Sequence, residues 1–164
     1  MVSQKIIDHG YAAIVKEIEK MGHLYTKVGF PEAGAAGYPS HHSIGAQPAG
    51  DMSEVIKVAA VQEFGAPSRN IPERSFVRTS FDNNYGALQA FKAAQWKLII
   101  EGKQTAEQGI RKIGEWMIAK MKRQIRDGSY VPLKPATIAR KKSSRPLIDT
   151  AQMINSIQQE VFTK

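Results

Sequence analysis

Ile71-Pro72-Glu73-Arg74-Ser75-Phe76-Val77-Arg78-Thr79-Ser80-Phe81-Asp82 is the stretch on which the fold of this chain turns, with Val61-Gln62-Glu63-Phe64-Gly65-Ala66-Pro67-Ser68 just before it. From Asp51 to Phe64 the residues Val55, Val58, Ala59 and Gln62 recur at helical spacing, Ser53 is placed to cap the start, and Gly65 supplies a left-handed stop. Pro67 and Pro72 then bar helix through a bend. From Arg74 or Ser75 the chain turns helical again and runs, with a break near Gly86, through Leu88, Phe91 and Leu98 to Glu101. Phe76 and Phe81 read as core anchors, as do Trp96 and Trp116 on their helices. Arg74 and Arg78 share a face if that segment is helical. They then either grip acidic groups of a neighbouring molecule or pair within the chain with Glu63, Glu73 or Asp82.

Outward from this joint, the strongest helix is 105–127. Ala106, Ile110, Ile113, Met117, Met121 and Ile125 step by three and four, Thr105 and Gln108 form a capping box, and Asp127-Gly128 ends the run. Upstream, Ile7, Tyr11, Ile14, Ile18 and Met21 mark an amphipathic helix over 3–21, capped by Ser3 and stopped at Gly22. Leu24, Thr26, Val28 and Phe30 alternate with Tyr25, Lys27 and Gly29 as a half-buried strand. Residues 31–50 are rich in Gly and Pro and nearly uncharged, the composition of a long flexible loop. After Ser129 the chain is extended at Val131–Pro135, with short helices at 136–142 and 151–155; Asp149-Thr150 caps the second. Ile157, Gln159 and Val161 alternate as a last strand that can pair with 24–30. The expectation is a single α+β domain over 1–164, with helices packed on a small antiparallel sheet to which the C-terminal segment 129–164 returns.

Composition narrows the function. The chain has 164 residues and 42% hydrophobic side chains, ample for a core. It contains no Cys, which excludes disulfides, thiolate metal sites and a thiol nucleophile. No apolar run reaches the ~20 residues of a membrane span, and the first residues lack the apolar core of a secretion signal. The net charge of +8 is uneven: residues 105–164 carry twelve basic against five acidic side chains, whereas the rest is nearly balanced. Such a region either attracts nucleic acid or an acidic protein surface, or serves as a solvated face.

No catalytic signature is visible: there is no nucleophile elbow, no His-Glu-x-x-His, no phosphate-binding loop and no dinucleotide fingerprint. The carboxylates are scattered, so the chain does not read as an enzyme, and no cofactor is implied. His41-His42 is the one adjacent histidine pair, short of the three or four ligands a metal needs. It is a possible partner contact in the loop. Lys134, Arg140, Lys141, Lys142 and Arg145 form a basic tail able to meet phosphates. It lacks the interleaved aromatics of a single-strand platform.

Two blocks together resemble a known pattern. Ala59-x-x-x-Glu63-Phe64-Gly65 followed by Ile71-Pro72-Glu73-Arg74-Ser75-Phe76-Val77-Arg78 is similar to a signature of small tailed-bacteriophage head–tail joining, neck or tail-completion proteins. Pro132-Leu133-x-x-x-Thr137 with Lys141, then Pro146-Leu147-Ile148-Asp149-Thr150-Ala151-Gln152-Met153-x-x-Ser156-Ile157, resembles that family's second block. The match covers about 52–164. Ser75 stands where the pattern has Pro, which loosens the bend, and Ala151 where it has Gly. The resemblance implies a structural virion protein, not an enzyme, that forms a ring (a hexamer or dodecamer) at the neck. It would meet a connector or head-closure protein on one side and tail terminator or tail tube proteins on the other, with packaged DNA passing through its lumen. It would assemble in the host cytoplasm without a membrane. The alternative reading is a non-specific nucleic-acid-binding protein that uses its basic C-terminal third.

Overall fold

The computed structural model describes residues 10–30, 52–141, 144, 146–147 and 152–164. The fold is α+β: helices packed on a two-stranded antiparallel sheet. Along the chain come α1 (Tyr11–His23), β1 (Leu24–Gly29), α2 (Met52–Phe64), a 3-10 turn (Pro67–Arg69), α3 (Val77–Asp82), α4 (Tyr85–Ile100), α5 (Ala106–Asp127), α6 (Pro135–Lys141), α7 (Gln152–Asn155) and β2 (Gln158–Thr163).

α5 is the spine. Its buried residues include Ala106, Ile113, Met117, Met121 and Ile125, the stripe expected from the spacing. Thr105 caps it as predicted: the Gln108 amide donates to Oγ1 at 3.2 Å, and the Thr105 amide donates to the Gln108 side chain at 3.0 Å. A second cap comes from α1, where the Glu17 carboxylate accepts the Ala106 amide at 2.7 Å. One face of α5 packs against the sheet and another against α4. Contact with the sheet is close because position 114 is Gly. A Cβ there would lie 1.8 Å from Oε1 of Gln159 on β2 and 3.1 Å from Oγ1 of Thr26 on β1.

β1 and β2 join the two ends of the chain, pairing Leu24 with Thr163 through to Gly29 with Gln158. The last strand therefore starts later than its alternation suggested. Ile157 lies before it, buried in a cluster with Val55 and Ala59 of α2, Phe76, Met121 and Ile125 of α5, Leu147, Met153 and Ile154. Outside that cluster, Tyr25 stacks on Phe162 across the strands, with centroids 5.2 Å apart.

Several element boundaries move. α1 opens after Gly10, which is left-handed at φ 93°, and runs to His23; Ser3 and Ile7 lie outside the described residues. Ser53 sits inside α2 and is not its cap. The break expected near Gly86 within the helical run to Glu101 falls at Asn83-Asn84, where the Asn84 side chain donates to the Ser80 carbonyl. Gly86 is ordinary α4 residue. The predicted loop 31–50 and the Asp149-Thr150 cap fall outside the described residues.

Candidate interface

The joint is built by α2 and by the chain that folds back on it. Gly65, at φ 73°, ends α2; a Cβ there would stand 2.9 Å from the Glu73 amide nitrogen. Ala66 and Ile71 then exchange both backbone hydrogen bonds, at 2.9 and 3.1 Å, closing the Pro67–Asn70 loop. The Arg74 amide donates to the Gln62 carbonyl at 2.7 Å, so the returning strand lies along the last turn of α2.

At the centre is Glu63. One carboxylate oxygen accepts the amides of Phe76 and Val77, both at 2.8 Å; the other accepts Ser75 Oγ at 2.8 Å and the Arg78 amide at 3.0 Å. A carboxylate from the end of one helix thus caps the start of another, satisfying amides that α3 cannot pair internally. Ser75, the departure from the family pattern, does not leave the bend loose, because its hydroxyl is one of the four donors. Phe76 is fully buried and meets Phe30 edge-on at 6.2 Å.

The two arginines part company. Arg74 precedes α3, so the pair does not share a helix face. It is 5% exposed, donating from Nη1 to Gln62 Oε1 at 2.9 Å and from Nε to the Val131 carbonyl at 3.1 Å. Burial holds its guanidinium below its ordinary pKa. It is a tie between the joint and the segment after α5, out of reach of a partner. Arg78 is open to solvent and pairs with Glu73 at 2.9 Å. Tyr130 closes the same region. Burial raises its hydroxyl's pKa, the Gln124 side chain acts against that, and the Glu63 charge adds to the rise; the hydroxyl itself donates to the Gln124 carbonyl at 2.7 Å.

An apolar cleft of about 610 Å³ opens beside the joint. α5 supplies its floor, with Ile110, Ile113 and Met117. β1 forms one wall, and α3 and α4 form the other with Phe81, Leu88 and Trp96. Phe81 and Trp96 are not the core anchors their composition suggested: they are 44% and 42% exposed. α4 buries the stripe Leu88, Gln95 and Ile99, and its surplus apolar residues flank that stripe on the outside. Trp116, by contrast, is half-buried and stacks on Phe91 at 5.6 Å. α2 carries a separate exposed apolar pair, Val58 and Phe64; Phe64 is 70% exposed although it belongs to the Glu-Phe-Gly motif.

The basic excess has one clear location among the described residues. Lys120, Lys122, Arg123 and Arg126 lie on the last two turns of α5, with Asp127 the one acid there. Lys120 sits over the Trp116 ring at 4.9 Å, and Arg123 pairs loosely with Asp127 at 3.7 Å. Lys134 is exposed just before α6, and Arg140 and Lys141 fall on α6. His41, His42, Lys142 and Arg145 lie outside the described residues. No group of three or more His, Cys, Asp or Glu able to hold a metal occurs among the described residues, and no described helix is long and apolar enough to cross a membrane.

Sequence reasoning missed Glu63 as a cap and treated it as an ion-pair partner. The available signal was its position two residues before a helix-stopping glycine, ahead of a bend that must present uncapped amides. Comparison of the chain with protein-family profiles, with curated proteins and with solved structures found no match.

Proposed function

We propose that this chain is a structural subunit of a tailed-bacteriophage virion, without enzymatic activity, that assembles as a ring at the head–tail junction and joins the tail to the capsid. The observation that supports this best is the distribution of uncovered apolar side chains. Val58 and Phe64 stand on α2, while Phe81, Trp96 and Ile100 stand on α3 and α4. A cyclic assembly needs two unlike patches on each subunit, one for each neighbour. The two sequence blocks behind the resemblance also meet in one core, where Phe76 packs with Leu147, Met153 and Ile157. In this reading Arg74 is internal scaffolding. Arg78 and Lys134, both exposed, remain available to a connector or head-closure protein, to tail terminator or tail tube proteins, or to DNA in the lumen.

Native mass spectrometry and negative-stain microscopy of the full chain test the proposal. Closed rings at a multiple of 18.1 kDa support it, alone or with head and tail partners. A chain that stays monomeric with those partners present overturns it. A second reading, non-specific nucleic-acid binding, is favoured by the cationic end of α5. It predicts binding to random-sequence duplex by the monomer, with an affinity that falls steeply with salt.

A further inference from the structure

The cleft beside β1 is bounded by more than side chains. Leu24, Tyr25, Thr26 and Val28 all line it, so successive residues of one strand reach it irrespective of the face on which their side chains lie. That is how a strand's edge is presented. The hydrogen-bond phase of the ribbon locates the edge groups. The Lys164 amide donates to the His23 carbonyl at 2.8 Å, and Leu24 stands opposite Thr163. Hydrogen-bonded pairs in an antiparallel ladder alternate, so Tyr25, Lys27 and Gly29 address β2 while Leu24, Thr26 and Val28 point their backbone groups away from it. The Leu24 amide is taken by the Lys20 carbonyl at the end of α1. The Leu24 carbonyl and both backbone groups of Thr26 and Val28 remain directed to the unpaired side of β1. β1 has no other strand beside it among the described residues, and a two-stranded ribbon is the least stable form of sheet.

The surroundings specify what would add there. The floor and far wall are apolar, which suits alternate side chains of an extended segment. Among the described residues the charged side chains on the lining are Lys92 and Arg78, the latter paired with Glu73 at the rim, and none of the lining residues is a carboxylate. Met21, Met117 and Met121 supply unbranched side chains that repack around different shapes. A second copy of this chain is the less suitable strand donor at this edge: its own strands, Leu24–Gly29 and Gln158–Thr163, carry one Lys and one Glu between them and so bring no acidic excess to Arg78 and Lys92.

We infer that the free edge of β1 accepts an extended segment of an acidic partner protein as a third strand, with alternate apolar side chains in the α3–α4–α5 cleft and carboxylates toward Arg78 and Lys92. The inference deepens the reading of the chain as an assembly subunit and rests on it only for the nature of the partner.

The probe is a labelled octapeptide of alternating valine and glutamate, with the valine–lysine octapeptide as control, added to the full chain. Anisotropy should show saturable binding with Kd below about 1 mM for the first and at least tenfold weaker binding for the second. Residue-resolved amide exchange should slow at Thr26 and Val28 by tenfold or more on binding. Tyr25 and Lys27, already bonded to β2, should not change. Lys92→Glu should weaken binding about three- to tenfold with the thermal transition intact. Thr26→Pro, which deletes an outward amide and no ladder bond, should abolish binding in folded protein; if it unfolds the chain, the Lys92 variant and the exchange pattern decide. Equal binding of the two peptides, no saturable binding, or binding without protection at 26 and 28 overturns the inference. So does protection at those amides that rises with protein concentration alone, which assigns the edge to a second copy. Rings that form while the peptide fails to bind sink the inference and leave the assembly reading standing. A strict monomer that binds the peptide does the reverse.

Discussion

Replacing Glu63 with Ala tests the joint most directly. The substitution removes the acceptor for four donors: the amides of Phe76, Val77 and Arg78 and the hydroxyl of Ser75. These do not count equally. Phe76 has no exposed surface, so its amide cannot turn to water, and an unpaired buried donor costs about 1–3 kcal/mol. Val77 and Arg78 are partly exposed and can be rehydrated, so their loss resembles that of an ordinary helix cap, about 1–2 kcal/mol together. The deleted side chain was itself 7% exposed and leaves some lost packing. The sum is about 2–5 kcal/mol. For a chain of this size that lowers the thermal midpoint by on the order of 10 °C. Glu63→Gln keeps one oxygen and the volume, and should lose about half as much. Urea titration followed by far-UV dichroism reads both, provided the transition is two-state. A Glu63→Ala variant within about 1 kcal/mol of the parent would refute the reasoning. It would mean that α3 does not depend on this carboxylate for its start.

Further predictions separate structural from surface roles. Arg74→Ala should cost about 2–4 kcal/mol by the same titration, because it breaks the tie from Gln62 to Val131; Arg78→Ala, which loses only an exposed pair with Glu73, should stay within about 0.5 kcal/mol. Gly65→Ala should destabilise by about 2–3 kcal/mol, since it combines a left-handed backbone with a Cβ 2.9 Å from the Glu73 amide nitrogen; its thermal midpoint should fall well below that of an exposed-site control. The Glu17 carboxyl is held below its ordinary pKa by the Lys20 ammonium and then by the Ala106 amide. Its contribution is therefore full above the ordinary carboxylate range and is lost as pH falls through the lowered folded value. The midpoint difference between the parent and Glu17→Gln, about 1 kcal/mol or less at neutral pH, should vanish at strongly acid pH.

How much of this could be read from residues depends on whether a signal was local. The long helix at 106–127, its capping box and the glycine stop at Gly65 rest on interactions spanning a few residues, and each was legible. The pairing of 24–29 with 158–163 was legible for a different reason: both segments alternate, and nothing else in the chain competes for them. Boundaries failed where tertiary partners decide. Ile157 belongs to the alternating run by pattern, yet the cluster around Phe76 takes it before the strand begins. Phe81 and Trp96 failed for the opposite reason. Aromatic residues at helical spacing read as core, and only the arrangement of α3, α4 and β1 shows that the wall they form faces a cleft. The Glu63 cap joins two helices through a hairpin bend, and no periodicity reports such a contact.

What the joint's residues do also bears on where partner recognition resides. Glu63 caps α3, Gly65 turns the chain, Arg74 ties the bend to Val131, and Phe76 fills the core. Four positions of the motif that prompted the neck-protein reading are thus occupied by folding requirements. A chain that kept them would keep this corner whatever it docked against, so the motif marks an architecture and leaves the choice of partner to other residues. Phe64 is the exception within the motif, since it sits between Glu63 and Gly65 and points its ring to solvent. The separation has a measurable consequence. Substitution of Glu63 or Arg74 should disturb folding and assembly in proportion, whereas Phe64→Ser should leave the urea midpoint nearly unchanged and weaken ring formation alone. If Phe64→Ser instead lowered stability as much as Glu63→Ala while rings still formed from the folded fraction, Phe64 would belong to the scaffold as well. The contacts between subunits would then have to lie on the α3–α4 wall.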